Sequence, residues 1–310
     1  MDFVIFIAAM SALIFGADFI IRESERIALH FNISHFVIGA TLIALGTSLP
    51  EMAASMMASY EGKSDMAVAN VIGSVTFNIT LVLGAVFLIA KKIMPSRNLF
   101  SLDSAWIIMP PMIFFLMIQD GVISRFDGAL FMLIMVAYLV FLFTSAKDEF
   151  EVEIDEELEK QKFNWFKTIV LLGIGFVLTI GGANFVVESG SNIARMFDVS
   201  EWIIGLLLIA LGTSLPELVV SLVAIKKGNA DMSIGNIIGS NVANFSMVIG
   251  GASLLNPLST AGASSFDLYI LAAASVTLFL LLANKLYNKA GAIFLLTILA
   301  LFLQNAIATL

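Results

Sequence analysis

Two identical octapeptides, Ala-Leu-Gly-Thr-Ser-Leu-Pro-Glu, occupy positions 44–51 and 210–217 of a 310-residue chain. Each ends in a carboxylate, Glu51 or Glu217, inside an apolar run long enough to cross a bilayer. An acid at that depth is costly unless compensated, and by default it marks a functional site. A proline stands directly before each acid. Proline lacks an N–H, and its ring collides with the carbonyl four residues earlier. Pro50 therefore frees the Gly46 carbonyl, and Pro216 frees that of Gly212. Such carbonyls are tolerated in a membrane only when buried in protein or lining a wet cavity, and they are good ligands for hard cations. Two carboxylates with carbonyl, hydroxyl and amide oxygens make an all-oxygen site, which favours Ca²⁺ or Na⁺ over a transition metal. The chain has no cysteine, and neither of its two histidines is close to these motifs.

A second polar stripe follows each octapeptide. Asn70, Ser74 and Asn78 are spaced i, i+4, i+8 and so share one helix face; Asn236, Ser240 and Asn244 repeat the pattern. A stripe of small polar residues also serves as packing material in membrane bundles. Beside the Pro-Glu helices we read these side chains as oxygen ligands, with Ser74, Asn78, Ser240 and Asn244 favoured over Asn70 and Asn236. Gly73 and Gly239 are expected to allow close approach of a neighbouring helix.

The elements that must hold these residues follow from composition. Hydrophobic residues make up 59% of the chain and charged residues only 13%, about half the charge of a soluble domain. This excludes disordered, disulfide-stapled and zinc-ribbon classes, and the net charge of −8 argues against nucleic-acid binding. The expected class is an all-α membrane protein. Ten spans of about 20 apolar residues are expected near 3–21, 35–59, 66–90, 104–118, 124–144, 165–187, 201–225, 231–255, 267–283 and 290–308. No small-residue cleavage site follows the first, so it reads as a retained helix. With this alternation, 13 of the 16 basic residues fall on one side and only Lys63, Arg125 and Arg195 on the other. The basic side is expected to be cytoplasmic, which places both termini outside.

The octapeptides belong to a longer repeat. Residues 31–84 and 197–250 match without a gap at an offset of 166, with about half the positions identical. Each half thus holds five spans. Because five is odd, the second half enters from the opposite side, giving two inverted five-helix repeats with a site at their interface near mid-membrane. The organisation is 1–144 for the first half, 145–164 for an acidic cytoplasmic linker and 165–310 for the second half. The linker reads as a solvated run and carries no EF-hand pattern.

The paired Gly-Thr-Ser-Leu-Pro-Glu segments, each followed by its Asn/Ser helix, resemble the alpha-repeats of the cation/calcium exchanger superfamily, most closely its prokaryotic sodium/calcium exchangers. The resemblance implies a central Ca²⁺ site from Glu51 and Glu217 with Thr47 and Thr213. It implies flanking Na⁺ sites drawing on Ala44, Ser48 and Ser74 and on Ala210, Ser214 and Ser240, with Asn78 and Asn244 lining the middle. Some relatives carry Asp where Asn244 stands, so this chain has two central carboxylates rather than three. The implied function is Na⁺/Ca²⁺ antiport by alternating access, the first and sixth spans moving against the remaining bundle; H⁺/Ca²⁺ antiport on the same fold is the alternative. Charge arithmetic agrees with exchange. One Ca²⁺ or two Na⁺ neutralise two carboxylates, whereas the empty site would cross the membrane with an uncompensated charge of −2.

The expected partners are Ca²⁺, Na⁺ and the bilayer of the plasma membrane, with no cofactor, no nucleic acid and a functional monomer. An enzyme is not expected: a hydrolase using Ser48 or Ser214 would need a nearby base, and no Lys or His lies within those spans. His30 and His35 read as interfacial residues, Asp18 as the i, i+4 partner of Arg22, and Asp103 and Asp267 as helix-start residues.

Overall fold

The computed structural model describes residues 1–90, 93, 95–145, 163–197 and 212–308. Apart from one short ribbon these residues form helices. They are α1 (Asp2–Phe31), α2 (His35–Thr47), α3 (Leu49–Tyr60), α4 (Ser64–Ile89), α5 (Leu99–Asp120), α6 (Arg125–Ser145), α7 (Trp165–Met196), α8 (Leu215–Lys226), α9 (Ala230–Leu255), α10 (Ser265–Ala283) and α11 (Lys289–Ala308). Eight of them are long and apolar enough to cross a membrane, and α2 with α3 makes a ninth span broken by 45°. The expected span 201–225 is represented by α8 alone, because residues 198–211 lie outside the described set, as do most of the expected linker, residues 146–162.

Two groups of contacts sort the connecting loops to opposite ends. At one end Val122 and Ile123 pair antiparallel with Ser259 and Leu258, and the Asn192 amide donates to Asp2 at the start of α1. At the other, basic end, His30 stacks on Phe163 at 4.0 Å, which suits the interfacial reading of that histidine. Asp65 and Asp231, which are 166 apart, show how the halves relate. Asp65, in the first turn of α4, accepts from the Gly262 amide at 3.2 Å. Asp231, in the first turn of α9, accepts from the Ser96 amide at 3.1 Å. Ser96 and Gly262 are also 166 apart, so each half caps the other, one at the ribbon end and one at the basic end.

The packing divides into two apolar bodies. A large cluster runs through α2, α4, α5, α6, α9, α10 and α11 and includes Phe36, Phe77's neighbour Ile79, Phe114, Phe245 and Leu278. A smaller cluster, with Ala17, Ile20, Ile21, Leu172, Val220 and Ala224, seats α1 and α7 against α2 and α8. The α1–α7 pair is antiparallel and close. A Cβ on Gly16 would sit 2.7 Å from the Gly175 carbonyl oxygen, so only glycine allows this approach. Near the basic end the buried Glu23 carboxylate accepts from the Thr168 hydroxyl at 3.1 Å and pairs with Arg26.

Two sequence expectations are corrected here. Asp18 does not pair with Arg22: its carboxylate meets Lys227 at 2.6 Å, while Arg22 lies beside Glu23 at 3.4 Å. Asp103 is no helix-start residue. The α5 cap is Asn98, which accepts from the Ser101 amide. Asp103 is buried and paired with Arg97 at 2.8 Å, under the Phe36 ring that faces the same guanidinium. Asp267 does stand in the first turn of α10, after the Ser264 cap.

Candidate cation site

The break expected at Pro50 falls at Ser48, whose ψ of 4° leaves the helical region. Pro50 then occupies the first turn of α3, where its missing N–H costs nothing. Ser214 has the same conformation, ψ 1°, ahead of Pro216 in α8. The first break bends the chain by 45°, and in both α3 and α8 the acid two residues beyond the start is turned into the protein. Both Glu51 and Glu217 are wholly buried, and they lie close enough to interact electrostatically.

Residues from one half serve the acid of the other. Ser48 donates to Glu217 at 3.2 Å, and Ser240 lies 3.5 Å from the same oxygen. Thr47 also faces this carboxylate, and its hydroxyl reaches Asn236 Oδ1 at 3.3 Å. The Ala44 carbonyl accepts from the Ser48 amide at 3.0 Å and lies 3.4 Å from the Ser240 hydroxyl. Around Glu51 the counterparts are not engaged. Both Glu51 oxygens, the second Glu217 oxygen, the Ser74 and Ser214 hydroxyls and both amide atoms of Asn78 and Asn244 are buried with no hydrogen-bond partner among the described residues. Each such group costs about 1–3 kcal/mol. They concentrate on the residues the repeat singles out.

The structure therefore brings Thr47, Ser48, Ser240 and the Ala44 carbonyl together at Glu217, and it buries Glu51, Ser74, Ser214, Asn78 and Asn244 as well. It does not bring Thr213 in with them. Thr213 is half-buried and lines an open cavity beside α7 with Asn184, Glu188 and Ser191. Ala210 lies outside the described residues. The close approach expected at Gly239 is present, since a Cβ there would be 2.7 Å from Ala40 Cα. At Gly73 nothing among the described residues lies within 4 Å, and its repeat-equivalent neighbour is in the segment not described.

Asn70 and Asn236 act as struts. Asn70 donates to the Ser55 hydroxyl at 2.9 Å, and Asn236 donates to Ser221 at 3.1 Å. Ser55 and Ser221 were missed in the sequence, although each stands four residues after its glutamate and so on the same helix face. A second missed feature is backbone. At Asn78–Val82 and Asn244–Ile249 the helices widen into π turns, a distortion often found at functional sites. Both begin at the site asparagine.

A family profile described as "Sodium/calcium exchanger protein" matches residues 1–144 and 167–308. The chain belongs to the sodium/calcium exchanger family. This is a family of exchangers and not of enzymes. A putative antiporter CaxA of Alkalimonas amylolytica is 36% identical, over 87% of this chain and 86% of its own length. An uncharacterized membrane protein of Methanocaldococcus jannaschii is 39% identical, over 80% and 78%. Among solved structures, the sodium-calcium exchanger NCX_Mj soaked with Na⁺ and Sr²⁺ superposes with a TM-score of 0.82 at 32% identity, over 98% of this chain and 97% of that one. The family member described here is thus a multi-pass, all-helical integral membrane protein.

Proposed function

We propose that this chain exchanges Na⁺ for Ca²⁺ across the plasma membrane by alternating access. One observation carries the reading: two wholly buried carboxylates at equivalent places in the repeat, together with buried oxygens at the repeat's other polar positions that have no partner among the described residues. A protein core leaves such groups unpaired only at a cost, and a hard cation would repay it by coordinating them. Glu51 and Glu217 are the charged ligands. Thr47, Ser48, Ser214, Ser74, Ser240, Asn78 and Asn244 supply neutral oxygens, with backbone oxygens at Ala44 and Ala210; Thr213 joins when the second break closes on the site.

In this reading the protein has ten spans in two inverted halves, 1–144 and 165–310, joined by a cytoplasmic linker at 145–164. The exchanged caps of Asp65 and Asp231 and the antiparallel run of α1 against α7 support it. The basic end is cytoplasmic, both termini are extracellular, and a monomer contains the whole site. Three Na⁺ per Ca²⁺ would carry one net charge, so turnover responds to voltage. Glu217 is served by hydroxyls, while Glu51 has no hydrogen-bond partner among the described residues, so the two half-sites are unequal in this conformation.

The test is ⁴⁵Ca²⁺ uptake into proteoliposomes driven by an outward Na⁺ gradient. Wild-type protein takes up Ca²⁺, whereas Glu51→Gln and Glu217→Gln do not. Uptake that persists in both variants removes the site assignment. Uptake driven by a pH gradient in Na⁺-free buffer would assign the coupling ion as H⁺ instead.

A further inference from the structure

We propose that Asp18, Glu25, Lys227 and Asn229 form a clasp that holds the basic end of the cation pathway shut, and that the residues equivalent to them by the repeat do not form one at the other end. The inference rests on the alternating-access reading above. The α1–α7 pair sits on the rest of the molecule through its own small apolar cluster, so polar ties between the two bodies bias how they are arranged. At the basic end there are two. Lys227, in the turn after α8, meets the Asp18 carboxylate at 2.6 Å and lies 3.4 Å from the Asp18 carbonyl. Two residues on, Asn229 donates to Glu25 at 3.2 Å. Both partners are on α1, and both donors are in the α8–α9 turn.

The repeat shows that this is a one-sided device. At the offset of 166, Asp18 corresponds to Asn184, Glu25 to Ser191, Lys227 to Glu61 and Asn229 to Lys63. Asn184 and Ser191 carry no charge, so neither can form an ion pair with Glu61 or Lys63. Glu61 and Lys63 pair with each other instead, at 2.6 Å. Asn184 and Ser191 line the open cavity that reaches Thr213, whereas Ile21, the equivalent of cavity-lining Val187, is fully buried. Among the described residues, the position equivalent to a cavity-lining one is buried at the clasped end, and an open cavity lies at the other.

Asp18 and Lys227 are partly exposed, so the ion pair is worth little by itself, about a one- to fivefold population change. The chain has no cysteine, which makes the test direct. Ile21→Cys is introduced as a reporter, and its labelling by a membrane-impermeant maleimide applied at the basic end reads the population open to that side. Asp18→Asn or Lys227→Gln is expected to raise the labelling rate about two- to fivefold. The exchanged pair Asp18→Lys with Lys227→Asp is expected to restore the slow rate. A second readout needs no reporter: half-saturating Ca²⁺ at the basic end should fall by the same factor in the single variants, because affinity scales with the competent fraction. Unchanged labelling and unchanged half-saturation overturn the clasp while leaving exchange intact. Absence of counter-ion-driven flux in the wild type removes the functional reading instead, and labelling still judges the clasp.

Discussion

Asn244 and Asn78 carry buried amides that find no partner among the described residues. At the residue scale this separates function from stability. Replacing an unsatisfied buried group by an apolar one of similar shape is nearly neutral or stabilising. In Asn244→Leu the ion-free melting temperature in detergent should therefore equal or exceed that of the wild type. The rise in Tm on adding Ca²⁺, which reflects binding to the folded state, should shrink or vanish. A drop in the ion-free Tm would mean that the amide is a packing element. The two glutamates and the Asn/Ser stripes were legible in the sequence because an offset of 166 repeats them. The struts Ser55 and Ser221 were equally repeated, but a serine four residues from an acid looks like any small helix residue until its partner is seen. Asp18 was misread because a nearby Arg22 offers a local pair, and nothing in a sequence reports that a lysine 209 positions away stands closer.

At the scale of elements, the site depends on how closely α2 and α9 approach. Gly239 lies against Ala40, and Gly235 against the Phe36 carbonyl, which brings Asn236 and Ser240 to the break at Ser48. Gly239→Ala should force these helices apart, cost about 1–3 kcal/mol and lower Ca²⁺ affinity along with stability. Thermal unfolding and half-saturating Ca²⁺, measured on the same preparation, check both parts; a stable variant with normal affinity would refute the dependence. Six of the ten expected spans match a helix to within a few residues, since long apolar runs leave little ambiguity, but α1, α5 and α7 run well beyond the expected 3–21, 104–118 and 165–187 because polar residues at their ends stay helical. The π turns after Asn78 and Asn244 were not, because hydropathy is high on every side there. An extra residue in a turn shifts the helix face by roughly 100°, which a regular i, i+4 pattern cannot register.

For the whole molecule, the alternation of ends leads to a labelling prediction. Glu61→Cys and Lys285→Cys both replace exposed residues, in loops assigned to opposite ends. An impermeant maleimide applied to intact cells should modify Glu61→Cys and spare Lys285→Cys, with inverted membrane vesicles giving the converse. Labelling of both from one side would refute the inverted arrangement. The charge count is what assigns these ends, since translocation bias acts on lysine and arginine in short loops. It could not show which loops touch, because those contacts join positions 135 and 197 residues apart.

The exchanged caps bear on how such a chain is made. Asp65 is satisfied by Gly262, and the Ser59 hydroxyl and carbonyl are taken up by Ala252 and Asn256. The first half therefore leaves the ribosome with polar groups whose partners have yet to be translated. These contacts can close only after the second half has been made, so they are late events in the assembly of the fold.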